Sequence, residues 1–534
     1  MKRRALALLC AGILAVGMLA GCGGSSDKKD SSAKTEDTKK EAKSDGTFTF
    51  ALNYMPNSLQ PSAQSSDDLV SAIRPIYEPL FAETKDGLEY YLADKLDISE
   101  DGLTYTLHIN DKATWSDGEP VTVKDIKFTI DYGVLVYADY IIHQVNGGEV
   151  QINEIDDKTM EFVLPSVYDN YVRTLSQFYP MPAHAFDNDP SKINDSTYFK
   201  TPGMATSGAY VVSEINEDSF VYTARDDYYR GTPSVKKVVI KTIGSGSTKQ
   251  IEFENGGIDY MRVTSAEDLK KYKEESDKYN MYSISEARLN YLQLNPHGPV
   301  MSTLSQDARK AIFLALDKDA IVDFAWGSNE LAEPANSLIT PDQSIYNKDC
   351  KGYSFNLEEA KKLAKSSGLE GKELTYIYNS DRANMEAVAT VVQQQLAEIG
   401  VTVNIESCDT STFFPRFFAS KDKELATTWD LGTNGWDSQR GSNCGQAISY
   451  FTNRLCDCGY SDEVSGLAQK AIGTADAKEK QELWNTIQDK ALEECWEYPL
   501  TYTNFVMVSQ KNVTGLDGSS VVPEFIDYLS IHVD

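Results

Sequence analysis

The chain has 534 residues, of which 41% are hydrophobic and 25% charged, and its formal net charge at pH 7 is −29. This composition is ordinary for a globular protein, and the length is enough for about three domains of roughly 150 residues each. A surface this acidic repels polyanions, so the charge argues against nucleic acid as a partner.

The first two dozen residues have the pattern of an export signal. Positive residues at 2–4 are followed by an uncharged apolar stretch at 5–18, which is too short to span a bilayer of roughly 30 Å. The next four residues, Leu19-Ala20-Gly21-Cys22, resemble the lipobox of bacterial lipoproteins, in which the cysteine is lipidated and becomes the first mature residue. The sequence therefore predicts a signal peptide at residues 1–21 and a lipid anchor at Cys22. The alternative is a plain secretory signal with an incidental cysteine.

A flexible tether is predicted at residues 22–46, which begins with the lipidated cysteine itself. Gly23 to Asp45 contains no large apolar residue, so this stretch cannot bury enough surface to fold. A flexible chain of this length reaches roughly 25 Å. Because no apolar run of about 20 residues follows, we expect membrane attachment through lipid alone, on the outer face of the cytoplasmic membrane.

Ordered structure is predicted to begin at residue 47. Residues 47–52 read as a strand, and Asn53 to Ser58 as the turn that ends it. Residues 105–109 alternate like a half-buried strand. Thr122 and Asp125 form a capping box that begins a helix.

Two neighbouring segments carry a family resemblance. Residues 101–109 read DGLTYTLHI, and residues 113–125 read ATWSDGEPVTVKD. Together they resemble the signature of family 5 extracellular solute-binding proteins, the oligopeptide- and dipeptide-binding lipoproteins of ABC importers. Later blocks continue the resemblance almost to the end of the chain: 208–212, 226–233 and 307–321.

The second half of the chain predicts an α/β lobe from its own pattern. A strand at 374–378, a helix face running from Met385 to Ile399 and a strand at 401–405 make one βαβ unit. A second helix has Asn356 as its N-cap and Gly368 after its end. Further along come a helix around 482–491 and a last strand through 498–508.

Six cysteines remain in the mature chain, and all lie in its C-terminal half. They could form up to three disulfides, or an anaerobic source could keep them all reduced. The spacing of Cys456 and Cys458 is not that of a zinc ribbon or a thioredoxin-like site, so no metal site is predicted there. The six are Cys350, Cys408, Cys444, Cys456, Cys458 and Cys495.

Motifs of catalysis are missing from the sequence. It contains no GxSxG, HExxH or GxxxxGK[ST] pattern, and its five histidines are too scattered to suggest a metal cluster. We therefore expect no enzyme, no catalytic residue, no metal and no cofactor.

The segment 429–441, WDLGTNGWDSQRG, is the most informative candidate for binding. It follows the βαβ unit as a strand and a loop, and ligands of open α/β sheets bind beyond the carboxyl ends of strands. The resemblance implies an aspartate three positions after Trp436 that holds a ligand ammonium, but Gln439 stands there. Either Asp437 takes this role in a shifted loop, or the ligand has no ammonium at this place. The predicted contacts of this segment are Trp436, Asp437, Ser438, Gln439 and Arg440.

A second group of candidates comes from the resemblance. The loop after the first strand matches the place where family members contact a bound peptide, which points to Tyr54, Met55 and Asn57. Asn295 and Tyr502 lie near the implied crossings between lobes, at 289–294 and 500–505.

The resemblance implies an α/β, two-lobed periplasmic-binding-protein-like fold of type II with an extra domain in the first lobe. We expect a monomer in which lobe closure captures peptides for an ABC-type permease. Alternatives are a binder of oligosaccharide, opine, nickel chelate or haem, or a peptide sensor or chaperone without transport. The predicted segments are lobe 1 at 47–75, 203–290 and 501–534, the extra domain at 76–202, and lobe 2 at 291–500.

Overall fold

The computed structural model describes residues 46–63, 66–84, 87–133, 142–168, 171–176, 178–244, 246–418, 423–437, 450–452, 458–517 and 527–534. The chain divides into two compact units, Met1–Lys43 and Ser44–Asp534, and every described residue belongs to the second. The predicted signal peptide, Cys22 and nearly all of the predicted tether lie outside the described residues.

The described residues form a mixed α/β structure. Its strands are β1 (Thr47–Leu52), β2 (Phe81–Thr84), β3 (Gly87–Tyr90), β4 (Ala93–Ile98), β5 (Thr104–Ile109), β6 (Gln144–Val145), β7 (Gly148–Glu149), β8 (Gln151–Glu154), β9 (Thr159–Val163), β10 (Tyr210–Ile215), β11 (Ser219–Ala224), β12 (Lys237–Thr242), β13 (Tyr260–Val263), β14 (Tyr279–Leu294), β15 (Ala332–Pro334), β16 (Glu373–Asn379), β17 (Thr402–Cys408), β18 (Leu431–Asp437), β19 (Glu497–Gln510), β20 (Val513–Thr514) and β21 (His532–Val533).

Helices cover the larger sheets and connect their strands. They are α1 (Asp67–Ile73), α2 (Val123–Tyr132), α3 (Tyr171–Ser176), α4 (Gly246–Glu254), α5 (Ala266–Glu274), α6 (Gln306–Ala315), α7 (Lys318–Ala325), α8 (Leu357–Ser367), α9 (Met385–Ala397), α10 (Thr410–Phe417), α11 (Lys423–Ala426), α12 (Asp462–Ile472) and α13 (Ala477–Glu494). Short 3₁₀ helices occur at Pro61–Ala63, Ala183–Phe186, Pro190–Ile193, Tyr198–Lys200 and Met301–Thr303.

The first strand belongs to a four-stranded sheet in the order β1-β12-β11-β10. β1 runs parallel to β12, from Thr47 opposite Lys237 to Leu52 opposite Thr242, and the other pairs are antiparallel. The predicted strand at residues 47–52 is confirmed, and all its residues except the half-buried Ala51 are buried, because the sheet is covered by the main core. The carboxyl end of β1 leads directly into the predicted turn.

A second four-stranded sheet, β4-β5-β9-β8, contains part of the signature and is antiparallel. β5 alternates between half-buried and buried residues, as predicted. The capping box at the start of α2 is also confirmed, because the Asp125 carboxylate accepts from the Thr122 main-chain N–H at 2.9 Å. Its other oxygen accepts from the Ala183 N–H at 2.9 Å. The signature aspartate therefore joins two elements of the fold.

The Trp-Ser-Asp-Gly part of the signature is structural as well. Trp115 is fully buried, and Asp117 contacts the His184 ring nitrogen at 2.8 Å. Ser116 and Thr206 exchange two hydrogen bonds, one from the Ser116 N–H to the Thr206 carbonyl and one from the Thr206 N–H to the Ser116 hydroxyl. These contacts attach the segment to the stretch that leads into β10.

Arg225, at the end of β11, completes this attachment. Its side chain is 2% exposed, and the guanidinium donates to the main-chain oxygens of four residues at 3.1 to 3.3 Å. Nε donates to Asp227 Oδ1 at 3.1 Å. One buried cation therefore satisfies carbonyl groups from both sides of the junction, and these belong to Thr114, Trp115, Thr206 and Gly208.

The largest sheet has seven strands in the order β13-β19-β14-β18-β16-β17, with β15 paired to β19. β16 and β17 are parallel and joined by α9, so the predicted βαβ unit is confirmed. The predicted face of α9 is buried, and Gly400 follows with φ of +77°, which glycine adopts without strain. Asn356 caps α8 by accepting from the Glu359 N–H, and Gly368 ends it in the left-handed region.

Two long strands, β14 and β19, form the centre of this sheet and pair antiparallel. The predicted crossings at 289–294 and 500–505 lie within them, and Leu289 stands directly opposite Tyr502. The register shifts between Ser285 and Arg288, where Ala287 has φ of +49°. On one side of this bulge the strands pair further with β13, and on the other side with β15 and β18. The predicted lobe boundaries stay a prediction.

A buried carboxyl group lies at the start of β19. Glu497 is 1% exposed, stands opposite Gln293 of β14, and accepts from the Tyr460 hydroxyl at 2.5 Å. Within the described part of the chain, Glu497 Oε1 and Gln293 Oε1 have no hydrogen-bond partner. Burial raises the pKa of Glu497 to about 7. The neutral acid therefore predominates below that pH.

The cysteines Cys350, Cys408 and Cys495 are buried free thiols. Burial raises the pKa of the Cys350 and Cys495 thiols to about 11. Cys458 is also buried, whereas Cys444 and Cys456 lie outside the described residues.

None of the helices in the described ranges combines the length and the apolar character that crossing a membrane requires.

Replacing Arg225 with methionine is expected to destabilise the protein strongly, because buried carbonyl oxygens would lose their donors. The free energy of unfolding should fall by about 3 to 5 kcal/mol, measured by urea unfolding. The control is Lys124→Met, which removes an exposed ion pair with Asp157 and should cost less than about 1 kcal/mol. Equal urea midpoints for the two variants would contradict this role of Arg225.

Glu497 should make stability fall as the pH rises. Below its ordinary pKa of 4.5 the group is protonated in both states, and between 4.5 and about 7 only the folded state keeps the proton. The stabilisation is thus present at low pH and lost by about pH 7, to the extent of about 3 kcal/mol at most. Glu497→Gln should flatten this part of the pH profile of the free energy of unfolding, measured by urea unfolding. An identical profile for the variant and the unmodified protein would disprove this role of Glu497.

Candidate functional site

The candidate site lies at the carboxyl end of β18. β18 is parallel to β16, which pairs with it only over the three residues Leu431 to Thr433. The four residues that follow, Asn434 to Asp437, pair with β14 and with no other strand of the described ranges. β18 therefore projects beyond its parallel neighbour at the edge of the sheet where α/β proteins bind ligands.

The start of β18 is fixed by a buried aspartate that the sequence analysis did not single out. Asp430 is 1% exposed, and its Oδ1 accepts from the N–H groups of Val300 and Met301 at 2.8 Å each. Oδ2 accepts from the Thr375 N–H at 3.1 Å. Asp430 thereby joins β18 to β16 and to the turn after β14. Trp429 reinforces the anchor by stacking on Phe417 at 5.1 Å between ring centroids.

The predicted strand-then-loop segment is confirmed as far as the strand. Trp436 and Asp437 are the last residues of β18 and stand opposite Leu289 and Arg288 of β14. Ser438, Gln439 and Arg440 lie outside the described residues.

Arg288 and Asn290 are residues of this site that sequence reasoning missed. Asn290 is 2% exposed and donates from Nδ2 to the Thr501 hydroxyl at 3.1 Å. The half-buried Arg288 donates from Nε to Asn290 Oδ1 at 3.3 Å. No local pattern singles them out, because β14 carries several other polar residues, among them Glu286 and Gln293.

Gly435 makes room for these two side chains. A Cβ atom on Gly435 would come within 2.5 Å of Arg288 Nη2 and 2.6 Å of Asn290 Oδ1. Such contacts are far below van der Waals separation, so a side chain here would displace the guanidinium. The glycine before Trp436 thus lets Arg288 lie against the main chain of β18.

Asn295 and Tyr502 lie in the interior with main-chain partners. Asn295 is 3% exposed, and its Nδ2 donates to the carbonyls of Ala426 and Trp429 at 2.7 Å each. The Tyr502 hydroxyl accepts from the Ser337 N–H at 3.0 Å and is 3.0 Å from the Ile339 carbonyl. Burial raises the pKa of Tyr502 well above its ordinary value. Both side chains hold loops in place, and their role as ligand contacts stays a prediction.

The loop after β1 presents the remaining candidates. Tyr54 is 75% exposed, Asn57 is exposed, and Met55 is half-buried against Thr242, whose hydroxyl donates to its sulfur at 3.4 Å. Asp68 holds the loop by accepting from the main-chain N–H groups of Asn53 at 2.9 Å and Tyr54 at 3.2 Å. The loop is therefore fixed at its base while the Tyr54 ring faces solvent.

A lysine supports this loop from α4. Lys249 Nζ donates to Asn53 Oδ1 at 2.7 Å, and burial lowers the pKa of Lys249.

In the ranges that the structure describes, no three His, Cys, Asp or Glu side chains are placed to hold a metal ion.

The chain matches the sequence profile of one protein family over residues 87–454, which is more than half of its length. The family is described as bacterial extracellular solute-binding proteins, family 5 Middle. Five Brucella relatives, named as candidate ABC transporter peptide-binding proteins, are 25% identical over 345 residues. This match covers 63% of the chain and 64%, less than two thirds, of theirs. The oligopeptide-binding protein AppA of Bacillus subtilis is 23% identical over 543 residues, covering 96% of each chain.

Solved structures share the fold. The ABC transporter substrate binding protein CtaP of Listeria monocytogenes has a TM-score of 0.81 and 27% identity, covering 91% of this chain and 99% of its own. NikZ of Campylobacter jejuni, in complex with Ni(L-His), has a TM-score of 0.73 at 19% identity, covering 91% and 99%. The predicted two-lobed, type II α/β fold is thereby confirmed. The chain belongs to the family 5 bacterial extracellular solute-binding proteins.

Proposed function

We propose that this protein captures peptides between its two lobes outside the cytoplasmic membrane and delivers them to an ABC-type permease. Binding, lobe closure and release complete the cycle, and the solute is not transformed. The names of the Brucella relatives and of Bacillus AppA support the peptide class.

The observation that carries the peptide proposal is the projecting end of β18. Asn434 to Asp437 pair with β14 on one edge, and in the described part of the chain no strand pairs with the other edge. An extended peptide can add to such an edge through main-chain hydrogen bonds, which do not depend on its side chains. This mode of binding suits a protein that accepts many peptide sequences.

Two groups of residues would complete the contacts. Trp436 would form a wall of the pocket, and Asp437, Ser438, Gln439 and Arg440 would meet the charged or polar end of the solute. From the other lobe, Tyr54, Met55 and Asn57 would approach the peptide main chain. The exposure of Tyr54 supports this, because a large aromatic side chain 75% exposed is available for contact.

The anchor and the partners belong to the same proposal. Lipidated Cys22 and the tether of residues 22–46 would hold a monomer near the permease subunits, on the outer face of the cytoplasmic membrane. Membrane contact would be through the lipid alone, since stable anchoring takes two signals and two acyl chains on Cys22 would supply both.

A non-peptide solute is the second candidate, and Gln439 favours it. The family resemblance places an aspartate at this position, and a neutral amide holds an ammonium only about half as strongly as a carboxylate does. NikZ, which shares the fold, was solved with a nickel–histidine complex. The same architecture therefore accommodates metal chelates in at least one structure.

Identifying the solute that co-purifies decides between these functions. The chain from Gly23 onward, expressed in a bacterium, should release a ladder of short peptides when native mass spectrometry is followed by denaturation. Trp436→Ala should weaken binding of the released peptides by about tenfold or more, while Trp436→Phe keeps most of the affinity. Release of a sugar, chelate or other single compound would overturn the peptide function and leave the fold unaffected.

The lipid anchor has its own test. Cys22→Ser in the full chain should prevent lipidation and shift the protein from the membrane fraction to the culture medium or periplasm. Cys10→Ser, a change inside the predicted signal, is the matched control and should stay membrane-bound. Equal fractionation of the two variants would show that Cys22 is not the attachment point.

A further inference from the structure

We infer that Lys249 is a specificity-determining residue of the solute site, and that its ammonium binds a carboxylate of the solute beside the loop after β1. The inference rests on the proposed function, because it names a chemical group that a bound peptide would present to this loop. The candidate contacts derived from the sequence do not include Lys249.

The topology of the first sheet places Lys249 at the carboxyl end of a parallel strand pair. β1 and β12 run parallel and end together, with Leu52 opposite Thr242. The loop Asn53 to Ser58 follows β1, and α4, which contains Lys249, begins shortly after β12. Ligands of α/β sheets bind beyond the carboxyl ends of parallel strands. Lys249 therefore lies at the edge of this sheet where a solute is expected.

A single described hydrogen bond positions the Lys249 ammonium against the loop. Nζ donates to Asn53 Oδ1 at 2.7 Å. The amide group of Asn53 also donates from Nδ2 to Asp68 Oδ1 at 3.4 Å, so it lies between the lysine and the carboxylate. An ammonium has three donors, and the bond to Asn53 uses one of them. The other two can serve a solute while Asn53 keeps the side chain in place.

The charge of Lys249 is incompletely compensated in the described part of the chain. Lys249 is half-buried, and burial lowers its pKa, while the charge of Asp68 acts in the opposite direction. Asp68 is committed to the loop, where Oδ1 accepts from the Asn53 N–H and Oδ2 from the Tyr54 N–H. Among the described residues, no carboxylate forms an ion pair with Lys249. A partly desolvated cation without an ion pair costs free energy, which an anionic group of the solute would offset.

The position of Lys249 within α4 also disfavours a lysine. It lies in the first turn of the helix, where the helix dipole favours negative groups and disfavours cations. This turn contains no acidic residue. A solute carboxylate would be attracted both by the ammonium and by the positive end of the helix. Such departures from local preference are expected at binding sites.

Lys241 shows the contrast with a lysine that is already paired. It lies on β12 of the same sheet and is half-buried like Lys249. Its Nζ donates to the Gly257 carbonyl at 2.8 Å and lies 3.6 Å from the Glu252 carboxylate. Lys241 therefore has an anionic partner within the protein, and it provides a matched control.

The test compares three tetrapeptide libraries: one with a free C-terminus and acidic side chains, one with the C-terminus amidated, and one with asparagine and glutamine in place of the acidic residues. Binding to the purified chain from Gly23 onward is measured by competition in native mass spectrometry. At least one modified library should bind roughly tenfold or more weakly than the first, and the effective modification identifies the source of the carboxylate. Lys249→Gln should reduce this difference to less than about twofold, and Lys249→Arg should keep part of it.

The control variant Lys241→Gln should keep the full difference between the libraries. Thermal unfolding of each variant establishes that it is folded. Equal binding of all three libraries to the unmodified protein, or an unchanged difference in Lys249→Gln, would overturn the inference while the peptide function stands. Failure of all three libraries to bind would overturn the peptide function and this inference together.

Discussion

The antiparallel pairing of β14 with β19 is the constraint on which the rest of the structure depends. These two strands come from residues 279–294 and 497–510, so their ladder brings together segments more than 200 residues apart. β13, β15 and β18 attach directly to them, and β18 in turn carries β16 and β17. The position of the candidate binding edge is therefore set by a long-range register. A shift of β14 by one residue in this pairing would exchange the faces of the sheet on which Arg288 and Leu289 lie.

Several buried polar groups in the described part of this protein fix main-chain segments. Asp430, Asn295 and the Tyr502 hydroxyl each satisfy main-chain groups of a neighbouring loop, and Arg225 does the same at the junction of two sheets. Such groups are tolerated in the interior because their hydrogen bonds are made. Arg288 differs from them, because it is half-buried at the edge where β18 projects.

Local features of the fold could be predicted from the sequence, and features of register could not. The strand at 47–52, the capping box of α2 and the βαβ unit depend on patterns within about 30 residues, and all three are present. The cluster of Arg288, Asn290 and Gly435 joins residues about 145 positions apart, and no local pattern indicates it. Asn295 and Tyr502 were chosen for their place near the crossings, but their burial and main-chain partners became visible only in the structure.

Two buried thiols, Cys350 and Cys495, are protected from oxidants by their environment. Only a thiolate attacks a disulfide or a peroxide, and a thiol with a pKa of about 11 is ionised to about one part in 10⁴ at neutral pH. Cys350 and Cys495 are also shielded from collision with reagents by their burial. These two thiols are therefore expected to stay reduced in both reducing and oxidising surroundings. Transfer from a reducing cytoplasm to an oxidising exterior would leave the covalent structure at Cys350 and Cys495 unchanged.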